Sequence, residues 1–184
     1  MPQERTDNEL VKETLSDRKE SFAALVERYQ QPAYKMALVV LRHPADAEDA
    51  VSEAFIKAFQ ALSGCREGTN FKSWLLKITH NCCYDILRKR TVTGKYQSPE
   101  PVETISGGPN PLEAVIKYQD KQVLWSALAK LPPEERSAVV MKYYHGLSYQ
   151  EIAAVLNWPM GTVASKLARA REKLYRMLKG GDNQ

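Results

Sequence analysis

The 184-residue sequence lacks any apolar run near the roughly 18 residues that a membrane-spanning helix needs. Its first residues, Met1–Asp7, include no apolar stretch of the signal-peptide type, so we expect a cytoplasmic protein without membrane insertion. It also lacks a Gly-rich phosphate loop, paired catalytic carboxylates and a nucleophile set beside a base. We therefore predict that the protein is not an enzyme and binds no cofactor.

Cysteine is scarce: the chain has three, an odd number that suits a reducing compartment better than a disulfide framework. Cys82 and Cys83 lie beside His80, but adjacent side chains on a helix diverge and no second zinc-type ligand pair follows, so we predict no metal site. Of the three, Cys65 in a Gly-flanked loop is the candidate for an exposed thiol, and an inert loop cysteine is the favoured alternative. The sequence leaves open a redox role for Cys65 or for the Cys82/Cys83 pair.

Strand-like alternation is weak in both halves of the chain, which predicts an all-α protein. Residues 91–111 are rich in Gly and Pro and have little apolar periodicity, as is typical of a flexible linker. We therefore predict two small helical domains, 6–90 and 112–180, joined by this linker. A hydrophobic content of 43% and a charged content of 26% suit such domains.

Three helices are predicted in the N-terminal half. Apolar residues spaced three and four apart over residues 22–40 predict a long helix, broken or kinked at Pro32. The second, over residues 46–62, carries carboxylates in its first turns, where the helix dipole favours them. The third extends from residue 71 to about residue 90. On it, Trp74 lies in the apolar stripe, which favours a core role over base stacking.

Four helices are predicted in the C-terminal half. Apolar residues between positions 123 and 131 define the first, which stops at Pro132. Pro133 suits the first turn of the second, with acidic residues at its positive end, and Gly146 closes it. Its apolar contacts are expected from Val139, Val140, Met141 and Tyr143.

The last two helices are typical of a helix-turn-helix, a DNA-binding motif. Ser148 and Glu151 predict a capping box at the start of the first, and Pro159 prevents that helix from continuing through the turn. The second is expected to begin near Gly161 or Thr162.

That second helix has an apolar side and a cationic side. The apolar stripe consists of Val163, Leu167, Ala170, Leu174 and Leu178. Between Pro159 and Lys179 the chain has six basic residues and one acidic residue, although the net charge of the whole chain is only +4. Such a concentration of positive charge favours attraction to DNA phosphates.

Three stretches of the chain together resemble the extracytoplasmic-function sigma factors, the two-domain initiation subunits of bacterial RNA polymerase. Residues 47–55 resemble the family's helix that docks on the clamp helices of the β′ subunit. Residues 71–81, followed by Asp85 and the basic end at 88–90, resemble its −10 recognition and melting helix. Residues 131–136 and the helix that begins near Gly161 resemble its −35 domain.

The resemblance implies three partners: core RNA polymerase, through its β′ clamp helices and β subunit; promoter DNA; and an anti-sigma factor. It also implies three sets of site residues. For the −35 element these are Thr162, Ser165, Lys166 and Arg169 at base edges, with Arg171, Lys173 and Arg176 at phosphates. For the −10 element they are Asn70, Lys72, Lys77, Asn81, Arg88, Lys89 and Arg90, and Asn81 helps to capture a flipped base. For docking on the polymerase they are Asp46, Glu48, Asp49, Ser52 and Glu53.

Two alternatives remain open from the residues alone. A helix-turn-helix regulator with an N-terminal ligand-binding or dimerisation domain predicts a dimer that binds promoters tightly without polymerase. A sigma factor is instead expected to be a monomer with weak affinity for free DNA. An adaptor made of two helical bundles would bind polymerase or an anti-sigma partner but fail to direct initiation.

Overall fold

The computed structural model describes residues 5–65, 69–93 and 123–179, and every regular element in them is helical. In chain order the helices are α1 (Asp7–Leu15), α2 (Glu20–Leu41), α3 (Pro44–Gln60), α4 (Phe71–Thr93), α5 (123–129), α6 (Pro133–Tyr143), α7 (Tyr149–Leu156) and α8 (Met160–Lys179). A 3₁₀ turn, Leu62–Gly64, follows α3. None of these helices is both long enough and apolar enough to cross a membrane.

The chain divides into two compact units, which confirms the prediction of two helical domains. The first holds α1, α3, α4 and α2 up to Leu38, and the second holds α5 to α8 together with Val39–Pro44. Helix α4 continues to Thr93, so the start of the predicted linker 91–111 is helical. The rest of that linker lies outside the described residues.

Helix α1 lies outside the predicted helices, although its start carries a recognisable pattern. The Thr6 hydroxyl accepts a hydrogen bond from the Glu9 backbone N–H (3.3 Å), and the Glu9 carboxylate accepts one from the Thr6 backbone N–H (2.7 Å). These bonds form a capping box, and they lower the pKa of Glu9. Leu10 and Val11 are buried and hold the helix against the core of the first unit.

Helix α2 runs through Pro32 without a break, so of the two predicted outcomes, a break or a kink, the break is wrong. A proline inside a helix removes one backbone hydrogen bond and costs about 3 kcal/mol. Phe22 and Leu25 before Pro32, and Ala33 and Met36 after it, are all buried. Burying a large apolar side chain contributes about 1.5 to 3 kcal/mol, so packing on both sides of the proline keeps α2 as one helix.

The core of the first unit joins side chains from α1, α2, α3, α4 and the 3₁₀ turn. Its buried members are Leu10, Val11, Phe22, Leu25, Ala33, Phe55, Ala58, Leu62, Cys65, Phe71 and Leu75. Phe59 is 40% exposed but packs edge-on against Phe22, with ring centroids 5.1 Å apart. Trp74 is partly buried and packs against Phe71, which confirms its expected core role.

All three cysteines are free and buried. Cys65 is 7% exposed, and burial raises the pKa of its thiol. The expectation that Cys65 is an exposed thiol is therefore wrong, because the turn Leu62–Gly64 packs against α1 and draws the start of the loop into the core. Burial also raises the pKa values of Cys82 and Cys83, as in unreactive structural thiols. Within the described residues, no group of His, Cys, Asp and Glu is arranged to hold a metal ion.

In the second unit, α6 begins at Pro133 as predicted, and Val139, Val140 and Met141 are buried. Tyr143 is 59% exposed, so its predicted role as an apolar contact is wrong. It lies two residues beyond Met141, about 200° further around the helix, on the side that faces solvent. Gly146 has φ +71°, a left-handed conformation that suits glycine at the turn after α6.

Candidate nucleic-acid interface

Helices α7 and α8 form the predicted helix-turn-helix. The Ser148 hydroxyl accepts a hydrogen bond from the Glu151 N–H (3.2 Å), and the Glu151 carboxylate accepts one from the Ser148 N–H (2.8 Å), which confirms the capping box. Helix α7 ends at Leu156, and Asn157 adopts a left-handed conformation (φ 53°, ψ 40°). Asparagine takes this conformation more readily than most residues. Asn157 therefore caps the end of α7, and the helix stops before Pro159, as predicted.

The apolar stripe of α8 packs against α6 and α7. Helix α8 begins at Met160, one residue before the predicted start. Val163, Leu167 and Ala170 are each at most 2% exposed, and the later members of the stripe, Leu174 and Leu178, are partly buried. This packing leaves the opposite side of α8 free, as a recognition helix requires to enter a major groove.

The exposed side of α8 carries part of the predicted −35 set. Ser165, Arg169 and Arg171 are exposed, and the Ser165 hydroxyl donates to the Thr162 carbonyl (3.1 Å). Thr162 itself is partly buried. In the part of the chain that the structure describes, no carboxylate lies within ion-pair distance of Arg169 or Arg171. Neither guanidinium is therefore paired with a carboxylate in that part of the chain.

The other three cations in the set are paired within the unit. Lys166 Nζ is 3.6 Å from Glu134 Oε2 and 4.8 Å from the centroid of the Trp158 ring. Lys173 Nζ is 2.9 Å from Glu135 Oε2, and Arg176 Nε is 2.9 Å from Glu172 Oε1. Sequence reasoning attributed the acidic start of α6 to the helix dipole alone. The structure adds that this start holds two lysines of the recognition helix.

The predicted −10 residues lie at the start, in the middle and at the end of α4. At its start, Asn70 Oδ1 accepts a hydrogen bond from the Ser73 backbone N–H (3.2 Å), so its side chain caps the helix. Lys72 and Lys77 are partly buried, while Asn81 is exposed in the middle of the helix. At the far end, Arg88 and Lys89 are exposed. Helix α4 therefore carries both the exposed amide of Asn81 and a basic C-terminal end.

His80, next to Asn81, faces the interior. It is 8% exposed, and its ring centroid is 4.3 Å from that of Tyr84. Burial lowers its pKa to about 4, so the imidazole is neutral near pH 7. Adjacent residues of α4 thus differ in burial: Asn81 is exposed and His80 is buried.

The predicted polymerase-binding residues lie on α3. Glu48, Asp49, Ser52 and Glu53 are exposed. The spacing from Glu48 to Ser52 and from Asp49 to Glu53 is four residues, which places all four on one side of the helix. They form the acidic face of α3.

Asp46, at the start of α3, forms an ion pair with Arg90 near the end of α4. The pair joins one residue of the predicted polymerase set to one of the predicted −10 set. Lys57, later on α3, also reaches α4: its Nζ is 4.0 Å from Asp85 Oδ2 and 3.8 Å from Cys82 Sγ. Asp46 and Lys57 therefore connect α3 to α4 through three polar contacts.

Two family models match the chain. The model described as Sigma-70 region 2 matches residues 25–93, and the model described as Sigma-70, region 4 matches residues 121–174. The first match spans most of α2, α3 and α4, and the second spans α6, α7 and α8 as far as residue 174. Helix α1 precedes the first match.

Similar proteins and structures were also found. The chain is 34% identical to the ECF RNA polymerase sigma-E factor of Escherichia coli K12, over 95% of each chain. It is similar to the sigma factor RpoE in complex with the anti-sigma factor NepR from Bartonella quintana, with a TM-score of 0.71 and 26% identity over 87% of this chain and 98% of that one. It is also similar to CnrH in complex with the cytosolic domain of CnrY, with a TM-score of 0.71 and 25% identity over 95% and 97% of the two chains.

Proposed function

Because this chain belongs to the extracytoplasmic-function family of RNA polymerase sigma factors, we propose a division of roles between its two helical units. As a sigma factor, it binds core RNA polymerase and directs promoter-specific initiation of transcription, and it is not itself an enzyme. We assign docking on the polymerase and the −10 element to residues 6–90, and the −35 element to residues 112–180. Residues 91–111 link the two.

The −35 role rests on the exposed side of α8. Val163, Leu167 and Ala170 are buried against α6 and α7, so the side opposite them faces solvent. Ser165 and Arg169 lie there, near the start of the helix, where recognition helices contact base edges. We assign Thr162, Ser165, Lys166 and Arg169 to base edges and Arg171, Lys173 and Arg176 to phosphates. Arg169 and Arg171 have no carboxylate within ion-pair distance in the described residues, whereas the other three cations must exchange a partner before they contact DNA.

The −10 role rests on α4. Its exposed Asn81 has an amide that can hydrogen-bond the Watson–Crick edge of an extruded base. Basic residues on the same helix offset part of the energy needed to unstack that base. We assign this role to Asn70, Lys72, Lys77, Asn81, Arg88, Lys89 and Arg90.

Docking on the polymerase is assigned to the acidic face of α3, with Asp46 at its start. Four exposed side chains on one side of a helix suit a basic patch on the clamp helices of the β′ subunit. Glu53 already pairs with Lys57, with Oε1 and Nζ 3.3 Å apart, but both are about half exposed and the pair is easily exchanged. We assign the β subunit as a second contact of the polymerase.

Regulation by an anti-sigma factor is proposed by analogy. The Bartonella quintana structure holds a sigma factor with its anti-sigma factor, and CnrH is bound to the cytosolic domain of CnrY. We infer a comparable inhibitor for this chain, a role in a stress response, and a cytoplasmic location, where the polymerase and the chromosome are found.

A single experiment tests the assignment. Core polymerase transcribes a pooled library of promoter fragments with and without the protein, and the RNA 5′ ends are sequenced. We expect new start sites that share two spaced upstream elements, and we expect Arg169→Ala/Arg171→Ala to lose most of them. If no new starts appear and the protein alone retains fragments as a dimer, it acts as a conventional helix-turn-helix regulator instead.

A further inference from the structure

Asp7, the first residue of α1, holds two side chains of α2. Arg28 Nη1 donates a hydrogen bond to Asp7 Oδ1, and the Tyr29 hydroxyl donates one to Asp7 Oδ2, each at 2.5 Å. Arg28 Nη2 also donates to the carbonyl of Arg5 (2.9 Å). Both carboxylate oxygens of Asp7 are therefore occupied by α2, and the start of α1 is fixed to that helix.

Tyr29 continues this contact to the start of α4. Its ring centroid is 5.4 Å from that of Phe71, the first residue of α4, which is 2% exposed. Burial, together with the hydrogen bond to Asp7, raises the pKa of Tyr29, so the phenol keeps the proton that it donates. The residue before Phe71 is Asn70, which caps α4.

Helix α1 also supports the other end of the segment between α3 and α4. It contacts the turn Leu62–Gly64, and its buried Leu10 and Val11 share one core with Leu62 and Cys65. Helix α1 therefore contacts Leu62–Gly64 in this segment directly. Through Tyr29 it also contacts Phe71, the first residue after the segment.

We propose that Asp7 and Tyr29 are positioning residues for −10 recognition, because they hold in place the start of α4, which Asn70 caps and which carries Lys72 and Asn81. This inference rests on the proposed −10 role of α4 and extends it to α1. Neither residue contacts DNA in the proposal; each acts through Phe71.

Two single substitutions separate this role from a general effect on stability. Tyr29→Phe keeps the ring against Phe71 but removes the hydroxyl that Asp7 holds. Ser21→Ala is the matched control, because it removes another hydrogen bond between α2 and α1, from Ser21 Oγ to Glu13 Oε2 (2.6 Å), that does not lead to Phe71. Asp7→Asn is a second test of the same contact from the α1 side.

The experiment uses full-length variants assembled with core polymerase on a promoter that the wild-type protein opens. Permanganate reactivity of thymines in the −10 element measures opening, and competition with wild type measures affinity for core. We expect Tyr29→Phe and Asp7→Asn to lower opening about fivefold, the effect of one lost hydrogen bond, at unchanged affinity for core. Ser21→Ala should open the promoter like wild type.

Equal losses of opening in Tyr29→Phe and Ser21→Ala would overturn the inference, because the contacts of α1 would then act only through stability. Undiminished opening by both Tyr29→Phe and Asp7→Asn would overturn it as well. Failure of the wild-type protein to open any promoter is a different result: it would remove the proposed function, and the inference with it.

Discussion

Glu135 of α6 accepts a hydrogen bond from Lys173 of α8, with Oε2 and Nζ 2.9 Å apart. The Glu135 side chain is 10% exposed and that of Lys173 is 45% exposed. The pair between Arg176 and Glu172 has the same 2.9 Å distance, but its side chains are 76% and 59% exposed. Removing the donor of a buried acceptor lowers the free energy of unfolding more than removing the donor of an exposed acceptor. Two pairs of equal length should therefore contribute unequally to stability.

We expect Lys173→Ala to lower the free energy of unfolding by about 1 to 3 kcal/mol, because Glu135 would be left buried without its partner. Arg176→Ala, the matched control, should cost less than about 0.5 kcal/mol. Urea unfolding followed by circular dichroism measures both. Equal costs for the two variants would show that burial of Glu135 does not matter.

At Arg169, we expect substitution by alanine to reduce discrimination between matched and scrambled −35 DNA. A side chain that reads a base edge contributes about 1 to 3 kcal/mol to discrimination. Arg176→Ala should instead weaken binding to both sequences alike, as loss of a phosphate contact does. Competition binding with the holoenzyme measures the ratio. An unchanged ratio for Arg169→Ala would exclude base reading by this residue.

Asn81→Ala is expected to reduce promoter opening while leaving affinity for core polymerase unchanged. Removing the amide removes its hydrogen bonds to an extruded base, worth about 1 to 2 kcal/mol together, or roughly a 5- to 30-fold loss of open complexes. Permanganate footprinting of the −10 element measures this loss. Opening equal to wild type would identify Asn81 as a solvated helix residue without a role in melting.

The ion pair between Asp46 and Arg90 predicts that these two positions are coupled. Asp46→Asn and Arg90→Gln should each lower transcription, because each loses the pair and its own proposed contact. The double variant should lose less than the sum of the two single losses, because the pair is lost only once. A double-mutant cycle on run-off transcription measures the coupling. Losses that simply add would show that the ion pair itself contributes nothing to transcription.

His80 predicts a dependence of stability on pH. The unfolded chain takes up a proton at this residue near pH 6.5, whereas the folded protein does so only at about pH 4. The unfolded state therefore binds more protons between these values, and stability falls as the pH drops through that window. From pH 7.5 to 5 the loss from His80 is about 2 kcal/mol.

The check is urea unfolding of wild type and His80→Gln at several pH values. The variant should lose less stability on acidification, and His43→Gln, which replaces a half-buried histidine elsewhere, serves as the control. Parallel curves for wild type and His80→Gln would show that His80 titrates alike in the folded and unfolded states.

Much of the fold follows from local patterns in the sequence. The apolar stripe of α8 and the capping box of Ser148 and Glu151 are formed by residues a few positions apart, so their spacing alone predicts them. The capping-box pattern of Thr6 and Glu9 likewise predicts the start of α1. The preference of asparagine for the αL conformation predicts that Asn157 ends α7. These two features could have been predicted from patterns already present in the chain.

Other features depend on contacts between residues far apart in the chain. Glu135 and Lys173 are 38 positions apart, and only the packing of α6 on α8 brings them together. Cys65 lies in a segment that looks like an open loop, yet the packing of α1 buries it. The ion pair of Asp46 is another such contact, because its partner Arg90 is on another helix. No local spacing encodes these pairs.

One side of α8 packs against its unit and the other side is exposed. This separation affects how such proteins diversify. Val163, Leu167 and Ala170 hold the helix in its unit, while Ser165, Ala168 and Arg169 are exposed. Replacements among the exposed three leave the interior unchanged and so cost little folding energy. After a gene duplication, a copy of this chain can thus acquire a new set of target promoters through a few surface replacements, without first being stabilised elsewhere.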